Sequence, residues 1–147
     1  MVEFAMVVMA FFLVLFAAVS AAFHSIQRAM AETAAAAGVQ LAASGTPGQP
    51  DRPLYGAAFN PTRDLLESVM FGTAIVQGAD RQACQGMADA VRGGGITSTV
   101  MVCAYQDGNL VAERVVGRPA YVVPFLAQVL PWDIDVTVEM HQVSYQQ

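Results

Sequence analysis

The chain has 147 residues, enough for one small domain and one long additional element, and its mean hydropathy is +0.45 with 55 % apolar residues. It carries a formal charge of −5 and no lysine, and its seven basic residues are arginines scattered singly from Arg28 to Arg118. Nucleic-acid binding needs clustered positive charge, so that class of partner is excluded.

The apolar excess sits at the N-terminus. Phe4 to Phe23 is twenty residues without a charge, proline or glycine, with Ser20 as its only hydroxyl. That length matches the ~20 residues needed to cross a hydrocarbon core, and helix is the conformation in which one such segment satisfies its own backbone in lipid. Good helix formers continue to Ala43 and no proline appears before Pro47, which predicts a single helix over about residues 1–44. Residues 4–23 are its transmembrane or filament-core part and residues 24–44 its amphipathic part. A secretory signal peptide fits poorly, because Glu3 stands where a basic segment belongs and the apolar run is too long. Arg28 beyond the run and Glu3 before it invert the expected charge bias, which predicts that a short basic leader precedes Met1 in the gene. A carboxylate at the lip of an apolar helix, Glu3, is a functional candidate, headgroup contact being the plain alternative.

In the second half of the helix Ile26, Met30, Ala34 (or Thr33), Ala37 and Leu41 recur at helical spacing. A small domain lying on this stripe is expected, and its alanines would allow close approach. Ser44 to Pro53, with two glycines and three prolines, ends the helix, and a linker is expected over residues 45–60. A small exported α+β domain is then expected over residues 61–147. Asn60-Pro61 reads as a helix start, followed by an apolar face of Leu65, Leu66, Val69 and Met70. Asp80 caps a second helix, Arg81 to Arg92, whose buried face holds Cys84, Met87, Ala88 and Val91. The Gly93–Gly95 triplet leaves a helix C-terminus and is a stop, not a phosphate loop. Ile96 to Gln106 reads as a strand, Asp107-Gly108-Asn109 as a hairpin turn and Leu110 to Val116 as the returning strand. Pro119, Pro124 and Pro131 exclude a central strand between them, and Phe125 to Leu130 suits a helical turn. Asp133 to Tyr145 alternates, with Ile134, Val136, Val138 and Met140 on one face and Asp133, Asp135, Thr137 and Glu139 on a solvated one. The expected fold is α+β: a long N-terminal helix covering a small antiparallel sheet of about three strands, with short helices.

Chemistry is sparse. His24 and His141 lack neighbours at metal-ligand spacing, Asp133, Asp135 and Glu139 are better explained by a solvated strand face than by a glycosidase-like cleft, and no nucleophile–base pair can be assembled. An enzyme is not expected, nor a cofactor or metal. Cys84 on the helix face and Cys103, on a strand face with Met101 and Tyr105, are expected to form a disulfide, two buried free thiols being the alternative. Such a bond belongs to an oxidising compartment.

The N-terminal pattern of Val2-Glu3-Phe4-Ala5, followed by a long uncharged helix that turns Ala-rich, resembles type IV pilin-like proteins, and most closely the TadE-like pseudopilins of tight-adherence (Tad) pili. The hairpin, the Pro-rich segment Tyr121 to Pro131 and the final strand near Met140 are similar to the same family. The middle of the chain shares nothing with it, and two residues precede Glu3 where the family usually has four. The resemblance implies a pilin-like subunit that is anchored in the inner membrane after a prepilin peptidase removes its leader. The pilus assembly machinery then passes it into an extracellular surface filament of its own copies and other pilins. It also implies assembly roles for Glu3, which would pair with a neighbour's N-terminal amine, and for Phe4. A minor pseudopilin or assembly factor that stays in the membrane lipid, and an accessory single-pass subunit of another membrane complex, are the alternatives.

Overall fold

The computed structural model describes residues 2–44, 54–69, 74–78, 80–92, 99–117 and 133–142. Helix α1 spans Val2–Ala43, 42 residues and roughly 60 Å at ~1.5 Å per residue. Helix α2 is Leu54–Val69, strand β1 Ala74–Gly78, helix α3 Arg81–Arg92, and strands β2, β3 and β4 are Thr99–Asp107, Leu110–Gly117 and Ile134–His141. The strands form one sheet in the order β1-β2-β3-β4. Strands β2, β3 and β4 make the expected antiparallel meander, and β1 adds a fourth strand parallel to β2. That fourth strand is unexpected: its five residues, AIVQG, are too few to show a period, and its parallel pairing needs α3 as the crossover.

The alternation of the strands sorts side chains into two apolar layers. Val100, Val102, Ala104, Val111, Val115, Ile134 and Val136 face α1 and α2. Met101, Cys103, Tyr105, Ala112 and Val116 face α3 through its buried Cys84, Ala88 and Val91. The domain is thus three layers, with α1 and α2 on one side of the sheet and α3 on the other. Asp80 caps α3 as expected: its Oδ1 accepts the Ala83 N–H at 2.7 Å. The β2–β3 hairpin closes through Gly108 and Asn109. Gly108 has φ +58°, a left-handed conformation that costs glycine little and other residues more.

Two expectations change. Helix α2 begins at Leu54, inside the expected 45–60 linker, and Asn60-Pro61 lies in its middle. Pro61 cannot donate to the Ala57 carbonyl, yet the turns before it stay helical because Ala58 and Phe59 are buried in the core. The first N–H of α2, that of Leu54, is satisfied by Gln106 Oε1 at 3.2 Å instead of by a cap from Asn60. The face of α1 that meets the domain is also rotated from the expected stripe. Ala31, Ala34, Ala35, Gly38, Val39 and Ala42 are buried, whereas Ile26, Met30 and Leu41 are exposed. Small side chains win the contact because they let the α2 backbone and the sheet come close. Residues 45–53 of the linker, the 93–95 glycine stop, the start of β2 before Thr99, and the Pro-rich 119–131 segment with its helical turn lie outside the described residues.

Candidate assembly surface

The first half of α1 touches little of the domain. From Phe4 to Val19 no side chain is buried, and the large apolar residues stand bare all round the helix, Phe4 at 75 % exposure. Burial on α1 begins at Ser20. The helix is therefore a rod about 30 Å long projecting from a seated half of similar length. The Phe4–Ala43 helix is long and apolar enough to cross a membrane, and it is compatible with anchoring there. Glu3 lies in the first turn of α1, and its side chain lies outside the described residues.

Beyond Phe23 the apolar surface continues into a groove of about 370 Å³ between α1 and α2, lined by Ile26, Ala29, Met30, Thr33, Leu65 and Leu66. The Thr33 hydroxyl donates to the Ala29 carbonyl at 2.7 Å, so its methyl is what it offers the groove. Arg28 and Glu32 pair with each other at 3.0 Å nearby, leaving no net charge. Ligand pockets of this size carry a few convergent polar groups, and this one has none.

Behind the groove lies a polar junction that the alternation of β3 should have revealed. Glu113 falls on the row of Val111 and Val115, which faces α1 and α2, and it is wholly buried. Its Oε2 lies 2.9 Å from the buried Thr62 hydroxyl of α2, which also lies 3.0 Å from the Ala34 carbonyl of α1. Burial pushes the Glu113 carboxyl up to about 8, only partly opposed by the Thr62 contact. Gly38 sits at the same crossing. A Cβ there would lie 2.5 Å from the Ala58 carbonyl, 2.6 Å from Glu113 Oε2 and closer still to the Thr62 hydroxyl.

Cys84 and Cys103 are bonded, with Cα atoms 5.5 Å apart, and tie α3 to β2. Asp135 departs from its expected solvated setting. It takes a bidentate pair from Arg114, at 2.9 and 2.8 Å, and an ion pair from Arg92, because the last turn of α3 overhangs this part of β4. Glu139 and His141 are exposed on β4, distant in sequence from His24 on α1, and the described residues contain no group of three or more His, Cys, Asp or Glu able to hold a metal. Comparison of the chain with family models, curated proteins and solved structures gave no match.

Proposed function

We propose that the chain is a structural subunit of a type IV or Tad-like surface filament, polymerising through its hydrophobic N-terminal helix. The observation that carries this reading is the division of α1 into a bare apolar rod and a half seated on a small α+β domain. A soluble protein rarely leaves a contiguous apolar surface of this extent uncovered. The rod is bare on every side, so one neighbour cannot cover it; a bilayer can, and so can a bundle of like helices. A chain held first in the inner membrane and then in a filament core uses both covers in turn. The proposal includes removal of a basic leader by a prepilin peptidase and delivery by a pilus assembly machinery. The disulfide suits a domain that faces an oxidising exterior.

Shearing surface material from cells that make the protein tests this reading. Immuno-electron microscopy with antibody to the domain should label filaments in the sheared fraction. A chain found only in the membrane fraction overturns the filament reading and favours a membrane-anchored pseudopilin or an accessory subunit.

A further inference from the structure

Glu113 is a titratable group that neither the apolar rod nor the groove uses, and it lies where α1, α2 and β3 meet. Its Oε2 is 2.9 Å from the Thr62 hydroxyl of α2, and a Cβ on Gly38 of α1 would come within 2.6 Å of the same oxygen. Its Oε1 is buried without a hydrogen-bond partner among the described residues. No cation faces it from any element packed against it. Strands β2 and β4 set Ala104 and Val138 beside Glu113, α1 presents Ala34 and Gly38, and α2 presents Ala58 and Thr62. The charged side chains of these elements are engaged elsewhere. Arg28 pairs with Glu32 and Arg63 with Asp64 on helix faces that meet solvent, and Arg114 pairs with Asp135 on the opposite face of the sheet.

We infer that Glu113 is a proton-operated latch for α1: as the neutral acid it holds the seated half of the helix on the domain, and its ionisation frees that half while the domain stays folded. The proton redirects one hydrogen bond. A neutral Glu113 donates to the Thr62 oxygen and leaves the Thr62 proton for the Ala34 carbonyl of α1, 3.0 Å away. The carboxylate is a charge-assisted acceptor and draws the Thr62 proton to itself, so the link from α2 to α1 is lost. Its second oxygen then carries charge with no donor in reach, which a fold tolerates far less than a buried acid. Helix α1 is the element that yields. The sheet fixes Glu113 between β2 and β4, and Phe59 and Leu66 anchor α2. The seat of α1 is Ala31, Ala34, Ala35, Gly38 and Ala42 with Val39 the one larger side chain, so each contact it gives up buries little apolar area. The layer on the other side of the sheet, tied by the Cys84–Cys103 bond, does not include Glu113. A route for solvent is also built. Ala34 lines the α1–α2 groove and carries the carbonyl that Thr62 meets, so the groove ends one residue from the carboxyl. Burial lifts that carboxyl from 4.5 to about 8. The latch is therefore fully closed below about pH 4.5 and weakens as pH rises toward 8. It works alike with α1 in a membrane or in a filament.

The test is thiol labelling of the detergent-solubilised full chain as a function of pH. Ala31→Cys and Ala42→Cys each place a thiol in the seat of α1, and using both guards against one of them disturbing it. Val91→Cys places one in the apolar layer under α3. The chain's own two cysteines are bonded and take no label. Each variant is made with Glu113 and again with Glu113→Gln, which keeps the shape of the neutral acid and does not titrate. The ratio of the two labelling rates at one pH cancels the titration of the thiol itself. At both seat positions that ratio should climb on the order of a hundredfold between pH 5 and pH 7, and at Val91→Cys it should stay level. A level ratio at the seat overturns the latch. A parallel climb at all three positions means that Glu113 acts on the whole domain, and that overturns it as well.

Discussion

The Thr62 hydroxyl and Glu113 Oε2 lie 2.9 Å apart at the point where α2 meets β3, and both residues are fully buried. The same hydroxyl lies within hydrogen-bond distance of two carbonyls, Ala34 at 3.0 Å and Ala58 at 3.2 Å. A hydroxyl has one proton to give. An ionised Glu113 competes with both carbonyls for that proton, whereas a neutral Glu113 can itself donate to the Thr62 oxygen and leave the Thr62 proton for one of the two carbonyls. The residues facing Glu113 favour the neutral acid. Ala104 and Val138 pair with it across the sheet, and α1 presents Ala34 and Gly38, so no cation among them offsets its burial.

That arrangement sets a pH dependence. The Glu113 carboxyl stands near 8 in the folded chain, against an ordinary value of 4.5. The neutral form is favoured by folding, so its contribution is complete below about pH 4.5 and is lost as pH rises toward 8. Over that window wild-type stability should fall by about 1 kcal/mol per pH unit from this group, and it should level off above. Glu113→Gln keeps the shape and cannot ionise. It should be more stable than wild type at pH 7–8 and show a flatter profile. Denaturant unfolding of the detergent-solubilised chain between pH 4 and 9 measures this, and parallel profiles for the two proteins would show that Glu113 does not titrate there.

Gly38 should not tolerate a methyl group. Its Cβ would fall 2.5 Å from the Ala58 carbonyl and 2.6 Å from Glu113 Oε2, so α1 must lift from α2 and β3 together. Gly38→Ala gains about 1 kcal/mol of helix propensity and should still lose net stability, since overpacking of this kind costs ~1–3 kcal/mol or more. Gly86 in α3 is the control, with nothing within 4 Å of its Cβ site. Gly86→Ala should stabilise by up to ~1 kcal/mol. Equal effects at the two positions in thermal unfolding would remove the close approach from the account.

These residues also mark what is legible in the sequence. The extent of α1 follows from an unbroken apolar run, and α3 with its Asp80 cap from four apolar positions at helical spacing. The seated face of α1 does not follow from its pattern, for a physical reason. Ile26, Met30 and Leu41 are its strongest apolar residues, yet the domain selects the alanine and glycine face for closeness, not for hydrophobicity. Glu113 is legible through its neighbours, since a strand that buries Val111 and Val115 buries the residue between them. Strand β1 is not, because five residues without a period gain their structure from α3 and β2.

Glu3 offers a test of the assembly reading at the other end of α1. A carboxylate carried into a bundle of apolar helices is desolvated and needs a cation, and the N-terminal amine of a neighbouring copy is the candidate. Glu3→Gln removes the charge without changing the shape. The yield of sheared filaments should drop sharply, while unfolding of the domain, which α1 meets only from Ser20 onward, stays as in wild type. Normal yield would leave Glu3 a headgroup contact and nothing more.

The disulfide completes the stability argument on the opposite face of the sheet. Cys84 and Cys103 are almost inaccessible and sit in a cluster with Ala88, Val91, Met101 and Tyr105. The bond spans a sequence separation of 19, and closing a loop of about that length in the unfolded chain is worth roughly 3 kcal/mol. A domain of this size has only ~5–15 kcal/mol in total, so reduction should shift its unfolding markedly. Burial adds a kinetic consequence: reductant should act on the bond mainly after the cluster opens, and native protein should resist it. Cys84→Ala with Cys103→Ala loses the link alone. The corresponding serine pair should be worse still, because each hydroxyl enters an apolar cluster at a cost of ~1–3 kcal/mol where it finds no partner. Alkylation and mass spectrometry of protein taken from the cell surface decides the point. No label should enter without reductant, even in denaturant, and two should enter with it. Two labels without reductant would remove the bond and, with it, the case for an oxidising location.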